Sequence, residues 1–340
     1  MTFGCKQSEY DGNIIVQPDG ENFSWPYIYN VKKNLRKNKK AYILIRSNNS
    51  GFPSCSYEEI KKNAIDKFEY FPPLFSDLNV ICMQPIFPRF DIENLGFDLH
   101  SMDRNSVIIT ESLYKRIDLQ LIAMIDDLKN RLSEKYRIEV EDKVLLYGFS
   151  ASANFADRFS IIHPSIVEAV AIGGNNEYLL PVQSWNNENL PFPLGLYDFE
   201  KLFKKIFEEE EFRNVKRYIF RGENDLGGEW IEEVNGELIR IPYYEYLENT
   251  YKEKFDNDVR TTVFGGENYN EFDSQLILYR INGNTFNQIE TFRNTGKIFK
   301  DLKMMNTEFV LYGDIGHKVN DEILSDLVSF FSNVIDDSDY

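Results

Sequence analysis

A chain of 340 residues with 42% hydrophobic and 27% charged side chains has ordinary globular composition and enough length to bury a large core without covalent staples. Its formal net charge of −17 argues against a nucleic-acid or anionic-membrane partner, because binding phosphates needs a basic surface, and such acidity serves solubility. Cys5, Cys55 and Cys82 show no metal spacing and no C-x-x-C pair, and the three histidines are scattered, so neither a disulfide framework nor a metal is indicated and no cofactor is expected.

No apolar run reaches membrane-spanning length, and the N-terminus as written carries no signal peptide, which reads as cytoplasmic. Thr2-Phe3-Gly4-Cys5 resembles the end of a bacterial lipoprotein signal. If the true start lay upstream, Cys5 would be lipidated and the protein extracytoplasmic; a chance Gly-Cys pair is the plain alternative. Asn13 to Val16 and Tyr27 to Val31 are short strand candidates, and the basic run Lys32 to Lys40 reads as a solvated turn. Ala41 to Ile45 is a buried strand that runs into the polar turn Ser47-Asn48-Asn49-Ser50-Gly51. Ser56 and Glu59 form a capping box that opens a helix with Ile60, Ala64 and Phe68 on one face. Leu78 to Met83 is the next strand, and Cys82 within it reads as a small core residue. Residues 86–115 are loop-rich and hold His100.

From about 116 to 134, Ile117, Leu121, Met124, Leu128 and Leu132 recur on one helical face. Lys143-Val144-Leu145-Leu146 is an apolar strand that leads into Tyr147-Gly148-Phe149-Ser150-Ala151-Ser152-Ala153-Asn154-Phe155-Ala156. Phe155, Phe159 and Ile162 then recur at helical spacing until His163-Pro164 stops the helix. A buried strand thus meets a helix across a turn of small residues with Ser150 at its apex, the pattern a nucleophile elbow requires. Val167 to Ile172 resumes the sheet. This alternation of strands and helices implies a mostly parallel central sheet flanked by helices, an α/β fold.

Residues 174–215 break the pattern, with a helix expected near Phe199 to Glu211 and the acidic run Glu208 to Glu211 on its solvated face. Lys216 to Phe220 is a strand, and Asn235-Gly236 between Trp230-Ile231 and Leu238-Ile239 predicts a hairpin. A helix near 286–304, the strand Glu308 to Tyr312 and a final helix carrying Ile323, Leu327 and Phe331 complete the chain. No repeat or long linker interrupts it, which favours a single domain over residues 1–340 with insertions at about 174–215 and 226–290. Both insertions leave the sheet edge at the expected site, so they are expected to form a lid. Their large side chains, Trp185 and Trp230 foremost, with Phe192, Tyr197, Tyr243, Tyr244 and Tyr246, would wall an apolar acyl or aromatic pocket or else pack the insertions onto the body.

A serine hydroxyl needs a base, and the base needs an orienting group. His317, in Gly313-Asp314-Ile315-Gly316-His317 between the last strand and the last helix, is the candidate base. His163 at a helix end reads as a surface or capping residue, while His100 follows a strand and lies where it could approach the site. Asp225, in Arg221-Gly222-Glu223-Asn224-Asp225-Leu226-Gly227 directly after a strand, is the candidate acid, with Glu223 in reserve.

The order Ser150, Asp225, His317 over roughly residues 40–335 resembles an α/β-hydrolase. Tyr147-Gly148-Phe149-Ser150-Ala151-Ser152, followed by His163-Pro164 and Gly173-Gly174, is similar to bacterial esterases of the polyhydroxyalkanoate-depolymerase or feruloyl-esterase type, although Ser152 replaces the second glycine of the elbow. The resemblance implies a serine esterase acting on a small-molecule or polymeric ester. It also implies an oxyanion hole made from the N–H of Ala151 and a donor at Ser50 or Asn49, where the family often carries His-Gly. The same machinery would serve a peptidase or an acyltransferase, and a non-catalytic binding protein on a hydrolase scaffold is the alternative of another class.

Overall fold

The computed structural model describes residues 10–33, 35–36, 39–49, 56–89, 99–109, 113–227, 229–234, 237–257 and 271–337; for 10–11, 229–234, 237–238 and 271–272 only the backbone is described. The expectations placed on Cys5, Ser50, Cys55 and the Trp230 side chain lie outside that set.

Two N-terminal strands, β1 (Tyr10–Val16) and β2 (Tyr27–Lys32), pair antiparallel and precede β3 (Tyr42–Ile45), α1 (Tyr57–Phe68), α2 (Phe71–Leu74) and β4 (Val80–Pro85). The short α3 (Arg104–Ile108) and the long α4 (Ile117–Arg131) lead to β5 (Val144–Phe149), α5 (Ala151–Ile162) and β6 (Val167–Gly173). An excursion through the two-residue strands β7 (Ser184–Trp185) and β8 (Glu188–Asn189), then α6 (Phe199–Phe203) and α7 (Glu209–Asn214), returns to β9 (Lys216–Gly222). A hairpin, β10 (Glu229–Val234) and β11 (Glu237–Pro242), is followed by α8 (Tyr243–Asp256) and α9 (Glu271–Ile281). The chain ends with α10 (Gln288–Asp301), β12 (Thr307–Tyr312) and α11 (Asp321–Asp337).

The central sheet has eight strands in the order β1-β2-β4-β3-β5-β6-β9-β12. β2 pairs antiparallel with both neighbours, and every pairing from β4 to β12 is parallel. β5 lies in the middle because its residues are apolar on both faces, as a strand covered on both sides must be. Its alternate side chains feed two cores. Leu146 joins Leu121, Leu128, Phe155 and Phe159 on one face, and Leu145 and Tyr147 join Phe71, Phe75, Leu327 and Phe331 on the other. A third cluster of Leu247, Phe255, Leu276, Tyr279 and Phe286 is built within the second insertion, largely from α8 and α9.

The capping box at Ser56 is present in both directions, and β10 and β11 pair antiparallel up to Val234↔Glu237 as the expected hairpin requires, while Asn235 and Gly236 themselves lie outside the described residues. The expected helix over Phe199 to Glu211 is instead two short helices. Lys204 in the left-handed region closes α6, and the acidic run opens α7, where negative side chains oppose the positive end of the helix dipole. Glu209 and Glu210 are exposed, as a solvated charge run should be.

Candidate active site

The turn between β5 and α5 is built around one backbone position. Ser150 has φ 62° and ψ −130°, a conformation L-residues adopt at a cost of about 1–3 kcal/mol. Its surroundings hold it there: Ser150 N–H donates to Gly173 O on the neighbouring strand at 2.9 Å. The Ser152 hydroxyl donates to Phe149 O at 2.8 Å and accepts from Phe149 N–H at 2.9 Å. Ser152, which stands where the nucleophile-elbow pattern has its second glycine, is therefore the brace of the turn. Gly148 cannot be replaced, because a Cβ there would lie 2.3 Å from the carbonyl oxygen of Ser152. Ala151 and Ser152 occupy the first turn of α5, where N–H groups have no acceptor within the helix.

His317 and Asp225 meet because β12 and β9 are parallel neighbours, with Tyr312 opposite Gly222 at their ends. The two loops that follow are laced together. Glu223 N–H donates to Tyr312 O at 2.8 Å and Asn224 N–H to Ile315 O at 2.9 Å. His317 Nδ1 lies 3.0 Å from Asp225 Oδ1. Gly222 permits this approach, since a Cβ at that position would stand 2.1 Å from Ile315 O. Asp225 is buried and also accepts from Gly227 N–H at 3.0 Å and Arg221 Nη2 at 3.3 Å. Burial on its own would raise the carboxyl pKa, but the His317 contact, the Arg221 charge and the Gly227 N–H together hold it below the ordinary value. Glu223, the reserve acid, is exposed and faces Arg293 at 3.8 Å.

The imidazole of His317 lies against Phe149, with ring centroids 4.8 Å apart, and beside Gly174. Phe149 directly precedes Ser150 in the chain, and the Ser150 hydroxyl makes no hydrogen bond to another described residue. Catalytic hydrogen bonds are often long before substrate binds.

His100 does not join this group. It is fully buried, and its Nε2 sits 2.9 Å from both Phe87 O and Asn48 Nδ2. Asn48 in turn exchanges two hydrogen bonds of 3.0 Å with the Phe87 backbone. This buried clamp fixes the loop after β3 and so positions Asn49, whose Nδ2 lies 3.4 Å from Phe149 O.

His163, expected at the surface or as a cap, does end α5 but is buried, with Nε2 2.8 Å from Asp118 Oδ2. Burial lowers its pKa and favours the neutral ring. Proline after the helix was a visible signal; the buried carboxylate partner 45 positions earlier was not.

Ser150, Ala151, Asn154 and Gly174 line one wall of a cavity of about 570 Å³, within the range of small-molecule sites. The aromatics expected to wall it mostly lie elsewhere. Trp185 packs against the larger core, Phe192 is fully buried, and Tyr197 is exposed; of those named, Tyr243 alone lines this cavity among the described residues. In place of apolar side chains the wall carries Arg89, Arg104, Arg158, Glu177 and a set of asparagines. Of the two roles open to these aromatics, Trp185 and Phe192 take the packing one, in or against the larger core. Of the polar lining residues only Ser150 and Tyr243 were anticipated, and Asn154, one helical turn after Ser150, is the one a helix projection would have found.

No protein-family model matches the chain, and no curated protein matches it by sequence. Among solved structures it is similar to a poly(3-hydroxybutyrate) depolymerase, LpqC, from Bordetella parapertussis. The two share 13% identity with a TM-score of 0.50 over 95% of this chain and 89% of the other. It also matches poly(aspartic acid) hydrolase-1 from Sphingomonas sp. KT-1 at 11% identity and a TM-score of 0.49, covering 94% and 97% of the two chains. Identities this low speak to the fold alone. With the sheet order, the parallel pairings and the turn from β5 into α5 already described, the chain has the α/β-hydrolase fold.

Proposed function

We propose that the protein is a serine hydrolase of carboxylic esters. The observation that carries this reading is the 3.0 Å contact between His317 Nδ1 and the buried Asp225 carboxylate, beside a serine held at positive φ at the head of α5. Asp225 keeps the proton of His317 on Nδ1, which leaves Nε2 to act as base. Ser150 Oγ attacks the acyl carbon and its proton passes to Nε2. The oxyanion is met by the N–H of Ala151 and a donor from the loop after β3, Asn49 or Ser50. Collapse expels the alcohol with the proton returned from Nε2, and water then releases the acid by the same route. The insertions at 174–215 and 226–290 act as the lid. Tyr243 at the start of α8 and Ser274 in α9 both border the cavity, which supports this assignment.

A fluorophosphonate probe tests the proposal. The unmodified protein is expected to label at Ser150, and Ser150→Ala to lose both labelling and ester hydrolysis by several powers of ten while its melting temperature is kept. A protein that neither labels nor turns over esters would be a binding scaffold, and the proposal would be wrong.

A further inference from the structure

We infer that the protein carries a second binding site, at the opposite end of the sheet from Ser150, for a small polyvalent anion. A cleft of about 730 Å³ lies where the chain leads into β3 and β5, whereas Ser150 follows the far end of β5. That volume suits a small molecule. Lys32, Lys33, Arg36, Lys39, Lys40 and Arg137 line the cleft, with Glu139 the one carboxylate among its lining residues. Over the whole chain acidic residues outnumber basic ones by 55 to 38, so the cleft reverses the charge of the molecule that holds it. Like charges gathered in one cleft repel, and an anion bound among them relieves that repulsion.

The cations sit on a built frame. Asn79 is 3% exposed and grips both arms of the segment that leads into β3. Its Oδ1 accepts from Arg36 N–H at 2.9 Å, and its Nδ2 donates to Lys40 O at 3.0 Å. Ala41 then exchanges two backbone hydrogen bonds with the facing segment, donating to Glu139 O at 3.0 Å and accepting from Glu141 N–H at 2.9 Å. On that segment Arg137 closes the π-helical turn Leu132–Tyr136 with φ 55°, a left-handed conformation that a non-glycine residue keeps only where its surroundings impose it. The counter-charges are loose. Arg36 meets Asp336 at 3.7 Å and Lys40 meets Glu141 at 4.0 Å, partly or fully exposed pairs of a kind that exchange readily with other ions. Lys32 Nζ donates to a neutral acceptor, Ser76 O, which leaves its charge unmatched by that bond.

Lysine predominates here, and an ammonium attracts an anion as a point charge without the planar match a guanidinium makes. Charge therefore sets the ligand class: several phosphate or carboxylate groups on a small body. A long polyanion or an anionic membrane is disfavoured, because its charges beyond the cleft would meet a molecule of net charge −17.

The test is isothermal titration calorimetry at low salt with tripolyphosphate, citrate and acetate. Tripolyphosphate or citrate is expected to bind saturably at one site, about a hundredfold or more tightly than acetate, because each further charge adds to the attraction. The tighter of the two identifies the anionic group. Lys33→Gln combined with Arg137→Asn is expected to raise that Kd about tenfold or more, since it removes two of the attracting charges, and asparagine tolerates the left-handed backbone at position 137. Lys297→Gln combined with Lys300→Gln removes the same charge from exposed positions on α10, which packs beside the opposite edge strand β12. That control is expected to change the Kd by less than about twofold, because screening confines the attraction to nearby charges. Equal weakening by the two double variants would mean diffuse attraction and would overturn the site. So would the lack of saturable binding of both polyanions to the unmodified protein, a comparison that needs no variant to fold.

Discussion

At the scale of single residues, the site depends on what surrounds the proposed acid. Asp225 and Glu223 are two positions apart, yet one is buried against His317 and the other faces solvent. Asp225→Asn is expected to lower kcat by about a thousandfold or more, and Glu223→Gln to leave it within about twofold, in a steady-state ester assay. The reverse ranking would move the acid role to Glu223. Arg221 is fully buried and donates to Asn175 O at 2.7 Å, to Asp225 O at 3.1 Å and to the Asp225 carboxylate. Removing one partner of a buried ion pair leaves the other uncompensated, so Arg221→Met is expected to cost about 3 kcal/mol in denaturant unfolding. A loss below about 1 kcal/mol would mean the acid loop does not depend on it.

Among the elements, the ends of β5, β9 and β12 matter most, because each hands its loop to the site at the same edge of the sheet. The Ser150 turn was legible from the small residues around it, and the Ser-Asp-His order from loops that follow strands. The packing of those loops was not legible. Gly222 reads in sequence as a turn residue, but its lack of a side chain lets Ile315 O approach. Gly222→Ala is expected to lower the melting temperature and kcat/KM together, since the carbonyl that must give way lies two residues before His317. If kcat/KM were kept while stability fell, the histidine loop would adjust without moving the imidazole. The helices α8 and α9 escaped the sequence reading because their apolar residues are divided: Leu247, Phe255, Leu276 and Tyr279 meet Phe286 in a small separate core, while Ile277 and Ile281 of α9 join the larger one.

Across the whole molecule, buried ion pairs join elements that apolar packing also holds together. Arg217 on β9 bonds to Asp157 and Ser160 on α5. Arg116 grips Asp118 of α4 through two hydrogen bonds of 2.8 and 2.6 Å, and Asp118 reaches His163 at the end of α5. Burial would raise the Asp118 carboxyl, but Arg116 and His163 bring it down from 3.8 to about 2. A carboxyl with a depressed folded pKa contributes stability that is complete above its unfolded value and is lost as pH falls through the folded one. The contribution, about 2 kcal/mol, is therefore expected to disappear between about pH 4 and pH 2. Asp118→Asn is expected to flatten the melting temperature against pH in that window, and an unchanged acid slope would show that other carboxylates govern acid unfolding.

Taken alone, the sequence determined what local pattern can carry. Alternating apolar strands and amphipathic helices implied a parallel sheet covered on both sides, and small residues around Ser150 implied a sharp turn. The loop positions of Asp225 and His317 set the chain order of the candidate site. Tertiary structure decided whatever depends on residues far apart in the chain. It brought His317 to Asp225 across 92 positions through the pairing of β9 with β12, and it took His100 and His163 out of contention by burying them against partners 52 and 45 positions away. It also set Trp185 and Phe192 of the first insertion in or against the larger core. Composition records that an insertion is rich in aromatics, but only packing determines whether a ring faces a cavity or the core beneath it.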